Sequence, residues 1–391
     1  MYHESVMSSP PAESAVPARG RDRWLRRAVF QRLAKLERGC VAVVDADGAH
    51  EFGRAGADCP LRATVTIHDP NAYRLLALRG SIGVGEGYMA GDWSCDDLPT
   101  LVRIFVLNQD ALLGLEHGLT RLMMPLFRLL YARRDNSRRG SRTNIAAHYD
   151  LGNEFYRLFL DDTLMYSAAI FPTPEAGLRE ASVAKIDRIC RKLELGPDDH
   201  LLEIGSGWGG FALHAAQRYG CRVTTTTISQ EQYQLTRERV REVGLEDRVT
   251  VLCQDYRDLC GSFDKLVSIE MIEAVGERHL KTYFRACARL LKPHGMMLLQ
   301  AITVADQKYE QYRNEVDFIR HYIFPGGFLP SLGALVDILG RATDFRLFHL
   351  EDIGAHYATT LRHWRERFLA NLDRVRALGF PDTFIRMWEY Y

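Results

Sequence analysis

Glu203-Ile204-Gly205-Ser206-Gly207-Trp208-Gly209-Gly210 follows a short apolar run, His200–Ile204, and precedes a stretch with helical apolar spacing at 211–219. A strand, a glycine turn and a helix in that order bring backbone N–H groups close to a ligand at the helix start. Gly205, Gly207 and Gly210 satisfy the spacing of a dinucleotide fingerprint. Such a site also wants an acid about 20 residues on, at the end of the next strand, to hold the ribose hydroxyls. The next strand, 221–227, has none; the acid stands ahead of the glycines, at Glu203. E-x-G-x-G-x-G fits S-adenosylmethionine better than a dinucleotide. No pyrophosphate needs neutralising, and a carboxylate there can serve the cationic methionine end.

Strand runs at 249–253, 265–269 and 296–301 alternate with helical runs at 230–243 and 278–291, the latter stopped by Pro293 and Gly295. From about residue 141 this alternation predicts an α/β unit with a parallel sheet. Ligands of such sheets gather at the carboxyl ends of the strands. Those ends present Glu203 to Gly209, Thr227 to Gln232, Asp255 and Tyr256, Glu270 to Glu273, and Gln300 to Ile302. Earlier in the chain, 41–44 and the alternating run 61–68 read as strands around the turn Asp45-Ala46-Asp47-Gly48. The glycines at 83, 85 and 87 are not a phosphate loop, because no Lys-Ser or Lys-Thr follows them.

The 391 residues suffice for two or three domains, and 47% apolar with 26% charged residues excludes a disordered or fibrous chain. No run approaches the roughly 18 apolar residues that would span a bilayer. Lys and Arg number 50, as do Asp and Glu, which argues against a nucleic-acid partner. The balance conceals segregation. Residues 19–38 hold eight basic and two acidic side chains; residues 121–142 hold seven arginines and one acid. In the second stretch Leu122, Met123, Met124, Leu126, Phe127, Leu129 and Leu130 interleave with Arg121 and Arg128, which suits either an anionic membrane surface or a connector with a solvated basic end. The eight cysteines form no C-x-x-C pair and signal neither a disulfide framework nor a metal site. The Pro/Ala/Ser-rich start lacks the apolar core of a secretory signal, so a reducing, cytoplasmic setting is expected. The expected organisation is a flexible tail at 1–20, an α+β lipid- or membrane-associated domain at 21–132, a basic linker at 133–142 and a catalytic domain at 143–391.

From residue 39 onward the chain resembles the cyclopropane-fatty-acid synthases and the related mycolic and fatty-acid C-methyltransferases. The resemblance is carried by Gly85-Glu86-Gly87-Tyr88-Met89-Ala90-Gly91-Asp92-Trp93, His148-Tyr149-Asp150-Leu151-Gly152-Asn153, Tyr166-Ser167, the glycine motif, Gln254-Asp255-Tyr256-Arg257-Asp258, Glu270-Met271-Ile272-Glu273-Ala274-Val275-Gly276 and Tyr322-Ile323-Phe324-Pro325-Gly326-Gly327. It implies a class I, Rossmann-like methyltransferase domain with a mostly parallel seven-stranded sheet, and a smaller α+β domain before it. Tyr149, Tyr166 and Ser167 would hold the amino-acid end of S-adenosylmethionine beside Glu203, Gly205, Gly207, Trp208 and Gly209. Thr227 and Gln232 would hold the ribose, and Asp255 and Tyr256 would border the adenine. Glu273 and Tyr357 would bind bicarbonate, with Gln300 and the backbone near Ala168 and Ile302 completing that pocket. Gln300 stands where some relatives have a histidine, and Ala168 where others have a cysteine. The C-terminus is expected to be shorter than in relatives.

The implied reaction adds a methylene to the cis double bond of an unsaturated phospholipid acyl chain, forming a cyclopropane. An isolated double bond is a weak nucleophile, so a sulfonium methyl is a suitable electrophile. The resulting carbocation needs aromatic faces, for which Tyr166, Phe171, Tyr322, Phe324 and Tyr357 are candidates, and a small base, for which bound bicarbonate is expected. No metal is expected. Peripheral association with the inner face of the cell membrane and a homodimer are further expectations. The alternatives are a fatty-acid C-methyltransferase giving methyl- or methylene-branched chains, a small-molecule N-methyltransferase, and an inactive lipid-binding homologue.

Overall fold

A computed structural model describes residues 20–109, 136–137, 140–141 and 151–391. The chain divides into two compact units, residues 1–129 with 380–391, and residues 130–379.

In the first unit, α1 (Arg21–Leu33) precedes β1 (Gly39–Asp45), β2 (Gly48–Arg54), β3 (Arg62–Ile67), α2 (Asn71–Ala90), β4 (Trp93–Cys95) and α3 (Leu98–Leu107). The sheet order is β2-β1-β3-β4, with β1 antiparallel to β2 and parallel to β3. Leu25, Val29 and Leu33 recur at helical spacing and bury one face of α1 with Val41, Val43 and Ala63 of the sheet. The glycine-rich stretch is helical, with a kink at Gly80, whose φ is 56°. Past the kink, a Cβ on Gly83 would sit 2.0 Å from the Leu75 carbonyl oxygen, so only glycine lets the two halves of α2 approach. The expected domain at 143–391 included the last residues, yet Phe380–Tyr391 groups with this first unit. The reason is local. The guanidinium of Arg386 lies 4.1 Å over the Tyr88 ring, the Tyr88 hydroxyl donates to Glu389 at 2.9 Å, and Tyr390 packs on Tyr88 and Trp93.

In the second unit, α4 (Asn153–Arg157) and α5 (Leu178–Lys192) lead into β5 (His200–Ile204), α6 (Gly210–Tyr219), β6 (Arg222–Thr227), α7 (Gln230–Glu242), β7 (Val249–Cys253), β8 (Phe263–Ile269), α8 (Leu280–Leu290) and β9 (Leu291–Gln300). Then come α9 (Asp306–Arg313), α10 (Leu332–Ala342), α11 (Gly354–Ala370) and α12 (Leu372–Ala377). The strands pair in the order β7-β6-β5-β8-β9, all parallel. Alternate residues of β5 feed two cores: Leu201 packs with Ile186, Phe211 and Val223, and Leu202 with Leu266, Phe284 and Leu290. Seven strands were expected, and the sheet has five among the described residues. After α10, residues 345–353 run without a strand, and Leu347, Phe348 and Leu350 are exposed rather than buried on a sheet face.

Candidate active site

The turn after β5 explains its glycines. Gly205, Gly207 and Gly209 all have positive φ (98°, 48° and 84°), which L-residues with a side chain rarely adopt. A Cβ on Gly205 would meet Met271 at 2.9 Å and one on Gly209 would meet Thr236 at 2.8 Å, whereas nothing lies within 4 Å of the position at Gly207. Two of these glycines therefore permit close packing, and Gly207 faces open space.

That space is a cavity at the carboxyl ends of the strands. Of the residues expected to bind the cofactor, Tyr166, Ser167, Glu203, Gly205, Gly207, Trp208, Thr227, Gln232, Asp255 and Tyr256 line it. Gly209 instead precedes the first turn of α6, and Tyr149 lies outside the described residues. Thr227 donates to the Gln232 side-chain oxygen at 2.8 Å. Glu203 is buried and accepts from the Thr225 hydroxyl at 2.5 Å. Burial pushes its carboxyl up to about 8, against the pull of Thr225 and Lys185. The Asp255 carboxylate is gripped at both oxygens by Arg257, at 2.8 and 2.7 Å, and Arg257 lines the same cavity. A pocket with an exposed glycine turn, a buried acid and a Thr–Gln pair suits the amino-acid end and ribose of S-adenosylmethionine.

The aromatic candidates separate. Tyr166 packs on Phe324 and on Trp364, with ring centroids 6.4 and 5.1 Å away, and Tyr357 meets the edge of Trp364 at 6.3 Å. Phe171 stacks on His356 and His363, and Tyr322 packs on Phe318 and His321. Trp364 was not singled out from the sequence. Its signal would have been its place two helical turns, seven residues, after Tyr357 on α11.

At the cavity edge the structure brings Ala168, Gln300, Glu273 and Ile302 together through two carboxylates. Glu270 accepts from the Ala168 backbone N–H at 2.8 Å and from the Gln300 side-chain amide at 2.8 Å; that amide also donates to the Ala168 carbonyl at 3.2 Å. Glu273 accepts from the Ile302 backbone N–H at 2.6 Å through Oε1. Its Oε2 is buried without a hydrogen-bond partner among the described residues. Burial, then the charge of Glu270, pushes the Glu273 carboxyl up to about 8, so it keeps its proton at neutral pH. Burial raises Glu270 as well, but the charge of Lys185 and the two hydrogen bonds oppose that rise.

These residues do not fit a bound bicarbonate. The Ala168 and Ile302 N–H groups and both Gln300 amide hydrogens are already spent, three of the four on the two glutamates and the second amide hydrogen on the Ala168 carbonyl. Among the described residues that contact the two glutamates, the donor left over is the Glu273 Oε2–H, beside the buried Glu270 carboxyl. One hydrogen bond does not offset the burial of an anion next to that carboxyl. The expectation of bicarbonate here thus meets a pocket whose donors already serve Glu270, Glu273 and the Ala168 carbonyl.

Lys185 carried no signal in the sequence, and Glu270 entered only as the start of the strand-end segment 270–273, with no role of its own. Lys185, on α5, is wholly buried, and its ammonium donates to the Ser167 hydroxyl at 2.6 Å. Burial lowers it to about 8, while Glu270, Asp161 and Glu203 pull it upward. Glu270 has φ 46°, a strained backbone for a residue with a side chain. The neighbouring residue Ala169 is pinned from the other side, its N–H donating to Thr360 of α11 at 3.1 Å. Ser167, Ala168 and Ala169 are each held by a different element, which fixes the loop beside the cavity.

The profile of the mycolic acid cyclopropane synthetase family matches residues 136–391. The chain is 39% identical over 395 residues to the tuberculostearic acid methyltransferase of Mycobacterium tuberculosis, covering 95% of this chain and 90% of that protein. It is 37% identical over 331 residues to the cyclopropane-fatty-acyl-phospholipid synthase of Escherichia coli K12, covering 84% and 82%. A mycolic acid cyclopropane synthase solved with SAH and CTAB superposes with a TM-score of 0.60 at 32% identity, over 64% of this chain and 90% of that one. Coclaurine N-methyltransferase, at 22% identity and a TM-score of 0.51, shares the fold. With the family profile matched over residues 136–391 and these relatives covered over most of their length, the chain belongs to the mycolic acid cyclopropane synthetase family and is an S-adenosylmethionine-dependent methyltransferase.

Proposed function

We propose that the protein transfers the methyl carbon of S-adenosylmethionine to the cis double bond of an unsaturated phospholipid acyl chain and closes a cyclopropane ring. The observation that supports this most is the cavity edge, where Tyr166 of the aromatic cluster and the Glu270 carboxylate line the same space. When bound, S-adenosylmethionine supplies a sulfonium methyl: the π pair forms the new C–C bond, the S–CH3 bond breaks toward sulfur, and the neighbouring carbon becomes cationic. The faces of Tyr166, Phe324 and Trp364 stabilise that cation without trapping it. Glu203, Ser167 and the Gly205–Gly207 turn hold the amino-acid end, while Thr227 and Gln232 hold the ribose. Tyr256 borders the adenine, with Asp255 kept in place by Arg257.

A second reading ends in a methyl- or methylene-branched chain, and the likeness to the tuberculostearic acid methyltransferase favours it. Both share the methyl-transfer step. Docking on the inner face of the membrane is part of the proposal. Basic α1 carries Trp24 with 64% of its surface exposed, an arrangement suited to an anionic lipid interface. No helix among the described residues is long and apolar enough to cross a membrane.

The test incubates the protein with 13C-methyl S-adenosylmethionine and vesicles of unsaturated phospholipid. Released fatty acids should gain the mass of one 13CH2 and show cyclopropane protons by NMR. Olefinic or branched-methyl signals would favour the second reading, and no gain in any unsaturated chain would overturn both.

A further inference from the structure

We propose that the Glu270 carboxylate fills the anion position of this site and is the chain's own proton acceptor, so that bicarbonate is neither bound nor required. The proposal rests on the transfer reaction set out above and concerns the fate of its proton. Three independent observations carry it. The carboxylate takes the Ala168 N–H and the Gln300 amide, donors that would otherwise be open to a small anion. It lines the cofactor cavity, whereas Gln300, Glu273 and Ala168 do not. And the chain holds it there at a backbone cost, φ 46° at a non-glycine residue immediately after β8.

The surroundings keep Glu270 usable as a base. Burial raises the Glu270 carboxyl, which strengthens it as a base, while the charge of Lys185 opposes that rise and favours the carboxylate; the neighbouring Glu273, at about 8, is the carboxyl that retains a proton. Two carboxyls sharing a site divide in this way because both cannot ionise cheaply. In the step assigned to Glu270, a C–H bond of the newly added methyl breaks. Its proton passes to a Glu270 carboxylate oxygen, and the C–H electron pair forms the bond to the cationic carbon. The product is neutral, and Glu270 returns its proton to solvent after release.

The test compares the wild-type protein with Glu270→Gly and Glu270→Gln. Glycine suits the backbone conformation at this position, so that variant should fold; S-adenosylmethionine binding by calorimetry checks both. Binding of 13C-bicarbonate is read by NMR line broadening, and turnover is measured in carbon-dioxide-free buffer with and without added bicarbonate. Expected are no bicarbonate binding and unchanged turnover for the wild type without bicarbonate. Turnover should fall about a hundredfold or more in both variants, with cofactor binding retained. In Glu270→Gly, the emptied position should bind bicarbonate and regain activity with it. Wild-type turnover that collapses without bicarbonate and returns with it would overturn the proposal. So would bicarbonate binding by the wild type as strong as that of Glu270→Gly. If the wild type methylates no unsaturated lipid, the transfer reading fails, and the bicarbonate titration still decides whether Glu270 fills the site.

Discussion

The hydroxyl of Thr225 donates to the carboxylate of Glu203 at 2.5 Å, across a register pair that sets these residues side by side on β6 and β5. The strand that lacks the ribose-binding acid of a dinucleotide site thus supplies the hydroxyl that holds the acid of this one. Thr225→Val keeps the shape and removes the donor. It should cost about 1–3 kcal/mol of stability, because a buried acceptor is left unmet. Urea denaturation measures that loss, and calorimetry should show weakened S-adenosylmethionine binding.

Gly207→Ala and Gly210→Ala should separate binding from packing. At Gly207 the added methyl meets open cavity, so stability should fall by about 1 kcal/mol, from the positive φ. Cofactor affinity should fall at least severalfold. At Gly210 a Cβ would lie 2.4 Å from the Thr163 carbonyl oxygen, and overpacking should cost about 1–3 kcal/mol or more. Thermal denaturation with and without cofactor distinguishes the two. Equal destabilisation of both would contradict the assignment.

Lys185→Met should be among the most disruptive single changes in the second unit. It leaves the Glu270 carboxylate without its buried cation, at a cost of about 3–5 kcal/mol. Lys185→Met combined with Glu270→Gln should recover much of that loss, since the second change removes the stranded charge. A double-mutant cycle in urea measures the coupling; strict additivity would show that the two residues do not interact.

Stability of the cofactor-free protein should pass through a minimum near pH 8. Glu203 and Glu273 have folded values raised from 4.5 to about 8, so the folded chain binds these protons more tightly than the unfolded chain. Their contribution is full below about pH 4.5 and is lost as pH rises through 8. Lys185 is lowered from 10.5 to about 8, so the unfolded chain holds its proton more tightly above pH 8, and stability recovers toward 10.5. Denaturation midpoints across this range test the shape. Glu273→Gln should flatten the acidic limb, and an unchanged profile would remove Glu273 from the account.

Binding to vesicles should depend on charge. Basic α1, with Trp24 outward, predicts a blue-shifted tryptophan signal with anionic vesicles that fades as salt rises. Trp24→Ala should weaken it. Equal binding to neutral vesicles would reject the electrostatic mechanism.

How far the sequence led is clearest at individual residues. The apolar run before Glu203 and the glycines after it could be read directly, because a buried strand followed by a tight turn leaves few other patterns. The strand-end rule then led to Thr227, Gln232, Asp255 and Tyr256, all at the cavity. The same rule put Glu270 in view, but Glu273, three residues on, drew the assignment; only side-chain geometry shows which carboxylate meets Ala168 and Gln300. Lys185 could not have been found that way. A lysine among the charges of α5 reads as solvated until its neighbours are known to cover it. The kinked α2 was hidden for a related reason: glycines lower helix propensity, and the close approach at Gly83 that requires one is a tertiary contact. The second basic stretch, 121–142, falls mostly outside the described residues.

The return of the Asp382–Tyr390 helix to α2 has a consequence for biosynthesis. The first unit is discontinuous in sequence, with the whole catalytic unit inserted between its parts. A ribosome delivers β1 to α3 early, yet the surface formed by Tyr88 and Trp93 waits for Arg386 and Tyr390 until some three hundred residues later. In the meantime it exposes aromatic surface of the kind that chaperones bind. A nonsense codon or proteolytic cut just after residue 379 would leave the cofactor cavity's own residues intact and expose a flaw at the other end of the polypeptide.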